Sequence, residues 1–127
     1  MDKYSVNPTF NFTEEDLVDI ISSAIYSIGY WACINNDTDD WNRVSASLPE
    51  DRSFEDVMFT LMKTGYSVDI EDAEGYDGLW HLTLSKLLKG IQLTIENKYW
   101  NGDMDEIDGV VGDIIFQYAL FDEIIYG

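Results

Sequence analysis

Five carboxylates crowd into the nine residues from Asp69 to Asp77: Asp69, Glu71, Asp72, Glu74 and Asp77. No Lys or Arg stands between Lys63 and Lys86 to offset them. Two further clusters, Asp37, Asp39 and Asp40 and then Asp103, Asp105, Glu106 and Asp108, repeat the theme. Side chains of this type support three kinds of chemistry. They can supply oxygen ligands to a hard cation, act as an acid–base pair in hydrolysis, or present fixed negative charge to a cationic partner.

The first two fit poorly. In Asp103–Gly109, Ile107 occupies a position that a calcium loop gives to a ligand, the glycine comes one place late, and no glutamate follows at the twelfth position. Asp37–Asp40 is equally partial. One histidine, His81, and one cysteine, Cys33, are present, without a glycine-rich phosphate loop or a metal-spaced cluster. His81 reads as an outward residue of a strand, and Cys33 as the packed end of an apolar helix. In a chain with 25 acids, a pair of carboxylates says little about hydrolysis. No catalytic residue, metal or cofactor is assigned, and the chain reads as a non-enzyme.

Fixed charge remains. Glu14, Glu15, Asp16, Glu55, Asp56, Asp105, Glu106 and Asp108 fall in expected first helical turns, where each gains about 0.3–1 kcal/mol from the helix dipole. That use does not account for Asp37, Asp39 and Asp40 or for the 69–77 series, whose mutual repulsion works against stability. These are the candidate partner-binding residues, with Asp103, Asp105, Glu106 and Asp108 extending the stripe.

The elements that position them follow from periodicity. Ser67–Glu71 and Trp80–Leu84 alternate polar and apolar, as half-buried strands do, and the loop between them carries Gly75 and Gly78. Thr83 is placed to cap a helix, with Leu82 and Leu87 as a hydrophobic staple. Leu84, Leu87, Leu88, Ile91 and Ile95 form its apolar stripe. Gly90 costs that helix about 1 kcal/mol against alanine, which predicts another element packed closely there. The unit from residue 65 to 100 is therefore expected to be the organising centre.

Before it, residues 1–11 read as an extended arm, with Pro8 discouraging a helix. Thr13 and Asp16 form a capping box, stapled by Phe12 and Leu17, for a helix predicted to run to about Cys33. Residues 35–40 read as a loop, and Trp41–Arg52 shows no clear period. Ser53 and Asp56 make a second capping box, and Gly65 is a natural terminator. After it, Asp103 or Asp105 is expected to cap a last helix that buries Ile107, Val110, Val111, Ile114, Ile115, Tyr118 and Phe121. The tail 122–127 is apolar enough to dock on the core. The expectation is one α+β domain over residues 1–127, in α-α-β-β-α-α order, with a small antiparallel hairpin sheet packed by about four helices.

Composition bounds the partner. At 127 residues, 46% hydrophobic and 14% aromatic, the chain is expected to fold as a single domain. No apolar run approaches the roughly 20 residues of a membrane span, Met1–Ser5 does not read as a signal peptide, and a lone cysteine fits a reducing cytoplasm. A net charge of −18 argues against binding nucleic acid or anionic lipid directly. Residues 79–98 carry +2, whereas 64–78 carry −5 and 99–127 carry −7.

Two stretches, Trp80–Ile91 and Ile114–Gly127, resemble small acidic proteins of phages, prophages and mobile elements of Gram-positive bacteria, and Tyr30–Cys33 fits the same pattern. The resemblance covers about half the chain and brings no catalytic motif. It implies an anti-defence inhibitor, most readily an anti-CRISPR protein acting in the host cytoplasm. Such a protein would bind a basic nucleic-acid-binding partner, a CRISPR effector or other defence nuclease, by mimicking DNA. Two alternatives stay open. One is a non-mimic regulatory protein using an apolar patch near Trp41 or Tyr126; the other is a cation-binding or hydrolytic protein.

Overall fold

The computed structural model describes residues 3–6, 10–75 and 78–127. They form an α+β fold with two small antiparallel sheets. In chain order these are β1 (Tyr4–Val6), β2 (Phe10–Phe12), α1 (Glu14–Ile25), β3 (Ala32–Ile34), α2 (Asp39–Ser47), α3 (Phe54–Lys63), β4 (Val68–Asp72), β5 (Leu79–Leu82), α4 (Leu84–Glu96) and α5 (Gly109–Phe121). Single 3-10 turns at Ile28–Tyr30 and Met104–Glu106 complete the elements. The first sheet is the β1–β2 hairpin; the second has the order β3-β4-β5.

Capping residues set where the helices begin. Thr13 and Asp16 close a full capping box on α1, and Ser53 and Asp56 do the same on α3. Thr83 caps α4 through the Lys86 amide, with Leu82 and Leu87 both fully buried beside it. α3 ends in a Schellman motif: Tyr66 N–H donates to the Leu61 carbonyl, Gly65 N–H to Met62, and Gly65 has φ +93°.

α5 takes the central place that the hairpin–helix unit was expected to hold. It packs on both α4 and α1, and Val111, Ile115, Phe116, Tyr118 and Ala119 are all buried. Glycine permits both approaches. A Cβ on Gly90 would run into the Ile115 carbonyl and lie 2.8 Å from the Ala119 Cβ, so the packing expected at Gly90 is supplied by α5. On the other side a Cβ on Gly112 would stand 2.7 Å from the Ala24 amide nitrogen of α1.

Several sequence expectations give way. The described residues of the N-terminal arm are extended as expected, but they pair with each other as β1 and β2, which was not foreseen. α1 stops at Ile25, well short of Cys33, because residues 32–34 are pulled into the sheet against β4. Cys33 is accordingly exposed on a strand instead of packed at a helix end. The supposedly aperiodic stretch after residue 40 contains α2, whose Trp41 and Val44 are buried. Asp108, not Asp103 or Asp105, caps the last helix, and Val110 is 70% exposed. Trp41, 6% exposed and packed on Phe54 at 4.7 Å, belongs to the core and cannot anchor a partner.

Candidate acidic interface

β4 is the middle strand, and its alternation decides which acids face out. Val68 and Ile70 are buried on the inner face beside Leu82. Outward, Glu71 stands between Cys33 of β3 and Leu79 of β5, and Asp69 stands opposite His81. The Asp69 carboxylate meets the His81 ring nitrogen Nδ1 at 2.7 Å. At the end of the strand the Asp72 carboxylate accepts the Glu74 amide at 2.8 Å, and the Gly75 amide donates to the Asp72 carbonyl. This is an Asx-type turn in which the side chain does a backbone's work. Glu71 and Glu74 are exposed, and neither carboxylate has an ion pair or hydrogen bond among the described residues. Asp77 lies outside the described residues.

The second cluster joins this sheet. Asn35 N–H donates to the Asp69 carbonyl at 2.9 Å, and the Asn35 side chain accepts the Asp37 amide at 3.0 Å. Thr38 then caps α2 by accepting the Trp41 amide. Asp39 and Asp40 therefore sit in a first helical turn, and the dipole does account for them, contrary to the sequence expectation. Asp40 is also bonded to Arg43 at 2.6 Å. Asp37 and Asp39 remain exposed, past the end of β4 that lies away from the hairpin turn.

The third cluster does not join them. α4 begins directly after β5 and ends before residue 97, so the 103–108 run lies at its far end, about 20 Å away for 13 residues at ~1.5 Å each. Between them α4 carries Lys86 and Lys89, the latter paired with Asp122 at 2.6 Å. Asp103 and Asp108 are spent on the local backbone: each accepts a peptide N–H at 2.9 Å, from Asp105 and Val111 respectively.

Reactive side chains do not converge. Cys33 and His81 are separated by β4, two strand spacings or about 9.6 Å, and are offset along the strands as well. That is beyond hydrogen-bond reach for a thiolate–imidazole pair. Among the described residues no group of three or more acid, thiol or imidazole side chains is arranged to hold a metal ion, and no helix is long and apolar enough to cross a membrane.

A feature the sequence reading missed adjoins the hairpin turn. Ala73 N–H donates to the Trp31 carbonyl. Trp31 in turn leads to a polar network around Asp113, whose carboxylate accepts from the Tyr30 hydroxyl at 2.5 Å and from the Trp31 indole and the Gln117 amide at 2.9 Å each. Burial of the Tyr30 hydroxyl, reinforced by its bond to the Asp113 charge, pushes this phenol up to about 12. Gln117 is 1% exposed and fixes the tail, accepting the Ile125 and Tyr126 amides at 2.8 Å. Tyr126 stacks on Trp31 with ring centres 5.0 Å apart, so the apolar tail docks as its composition predicts. The one sequence signal was the pair Asp113 and Gln117, four residues apart in an otherwise apolar helix. Between this network, α5 and the tail lies a cleft of about 540 Å³.

No family model, curated protein or solved structure matches this chain. Fold and surface thus define an acidic α+β domain with unpaired carboxylates around one sheet.

Proposed function

We propose that the protein is an anti-defence inhibitor of the phage type, acting on a CRISPR effector or another nucleic-acid-binding nuclease. Its hairpin and the start of α2 would occupy Arg and Lys side chains built to grip a phosphate backbone. The observation that carries this reading is the exposed, unpaired state of Glu71 and Glu74 among the described residues, in a chain of net charge −18. The site is narrower than the stripe expected from sequence. It centres on Glu71 and Glu74 with Asp69 and Asp72 beside them on β4, and Asp37 and Asp39 extend it past the other end of that strand; Asp103 and Asp108 are left to their capping work.

The test combines Asp69→Lys, Glu71→Lys and Glu74→Lys with Asp72→Asn, which keeps the turn acceptor. Effectors recovered from a nuclease-treated host lysate should elute with rising salt and be displaced by duplex DNA. The combined variant should bind them about 100-fold more weakly with an unchanged helical circular-dichroism signal. Undiminished binding would sink the mimic. A second reading, a regulatory protein that binds through apolar surface, is favoured by exposed Tyr26, Val110 and Ile125; binding insensitive to salt would select it.

A further inference from the structure

We infer that the cleft between the 3-10 turn at Ile28–Tyr30, α5 and the tail is a receptor for one arginine side chain of the partner's basic surface. This rests on the reading that the partner is basic, but it concerns a different set of residues from the hairpin carboxylates. The cleft measures about 540 Å³ and is lined by the aromatic residues Tyr30, Tyr99 and Tyr126, by Val110 and Ile114, and by the carboxylate of Asp113. No Lys, Arg or His is among its lining residues.

That combination selects a cation with a flat, weakly hydrated face. A guanidinium is attracted by the negative faces of aromatic rings and stacks on them, which an ammonium does less well. Asp113 supplies the charge. Its two oxygens offer about four acceptor directions, and three are taken by Tyr30, Trp31 and Gln117. One is left for an incoming N–H, and the three existing bonds hold the carboxylate in place beforehand. The rim is open: Tyr30 and Tyr99 are about half exposed and Val110 is 70% exposed. The hairpin turn is tied to the back of this network by the Ala73–Trp31 backbone bond, whereas the mouth of the cleft opens beside Tyr99, Val110 and the tail. The neighbouring cleft of about 590 Å³, which shares Tyr99 and is lined by Phe10, Ile95 and Lys98, already holds a cation.

The probe is N-acetyl-arginine methylamide, with the uncharged N-acetyl-citrulline methylamide as its isostere, titrated into the intact protein and followed by amide and indole NMR. The arginine compound should shift the Trp31 indole N–H and the Val110 and Ile114 amides saturably. Citrulline should bind at least about fivefold more weakly. Tyr99→Ala and Val110→Lys alter exposed rim positions and leave the tail network intact; the first should weaken the arginine response about fivefold and the second should abolish it. Equal responses to the two compounds, or shifts confined to Asp69–Glu74, would overturn the receptor. Because no partner enters this titration, its failure leaves the hairpin test standing, and failure of the hairpin test leaves the titration standing.

Discussion

The carboxylates at the helix starts and those of the hairpin are the same chemical groups in opposite situations. Asp16 and Asp56 accept the amides of their own N-cap residues at 2.9 and 3.0 Å, and Asp108 accepts the Val111 amide at 2.9 Å. Each satisfies a donor that the helix leaves orphaned and lies at the positive end of the dipole. Glu71 and Glu74 do neither. They stand on a sheet face and a turn, exposed, with no cation bonded to them among the described residues. Charge density alone overstates how much of the surface is free for a partner. What counts is the fraction of charge that the fold does not consume.

The comparison breaks or holds on stability. Asp108→Ala and Asp16→Ala should each lower the unfolding free energy by about 1 kcal/mol, within the 0.5–2 kcal/mol range of helix caps. Glu71→Ala and Glu74→Ala should change it by no more than about 0.5 kcal/mol, in the stabilising direction as mutual repulsion falls. Urea unfolding of the four variants measures both. A cost at Glu71 equal to that at Asp108 would make the hairpin acids structural and remove the ground for treating them as an interface.

The same distinction explains what could be read from sequence. The capping boxes at Thr13 and Ser53 and the cap at Thr83 were legible because each is local, written in residues three apart. So was the hairpin, through its alternation and glycines. β1, β2 and β3 were not, since three residues are too few to show a period and their pairing is tertiary. The pairing of residues 32–34 with β4 is what cuts α1 short. α2 was hidden by low apolar content, although Thr38, Trp41 and Val44 carried a cap and a helical spacing. For the site, the number of acids was plain, but sorting them required knowing where helices begin: Asp39 and Asp40 changed category once α2 was seen. The Tyr30–Asp113 bond spans 83 residues and left no local trace.

Tyr30 sharpens the contrast from the other side, as a group whose proton the fold protects. Its phenol is raised from 10.0 to about 12, so the folded state holds the proton more tightly than the unfolded chain. The resulting stability is fully present below pH 10 and is lost as pH rises through about 12. Tyr30→Phe should be less stable than wild type at neutral pH, and the gap should close across that window. Ultraviolet difference titration should show one late-ionising tyrosine missing from the variant. Tyr118, which burial also raises, should persist as a second. An ordinary titration of Tyr30 would mean that its hydroxyl is not held by Asp113.

The smallest effect belongs to an acid that does have a cation. Glu14 meets Lys63 at 2.9 Å, joining α1 to α3, and also accepts the Tyr4 hydroxyl. The bond to Lys63, aided by that hydroxyl, lowers its pKa even though desolvation opposes the shift. A depressed carboxyl stabilises the fold above its unfolded value, about 4.3 for glutamate, and that contribution is lost as pH falls through the lower folded value. Both side chains are a third or more exposed, so solvent limits the pair to about 0.2–1 kcal/mol. Lys63→Met should therefore cost no more than that at neutral pH in low salt. The cost should shrink with added salt and disappear in acid, because the protonated carboxyl no longer distinguishes lysine from methionine. At Glu71 salt should act with the opposite sign, since screening there relieves repulsion instead of weakening attraction. Opposite responses in one molecule would separate the consumed charge from the free charge without any partner present; parallel responses would erase the distinction.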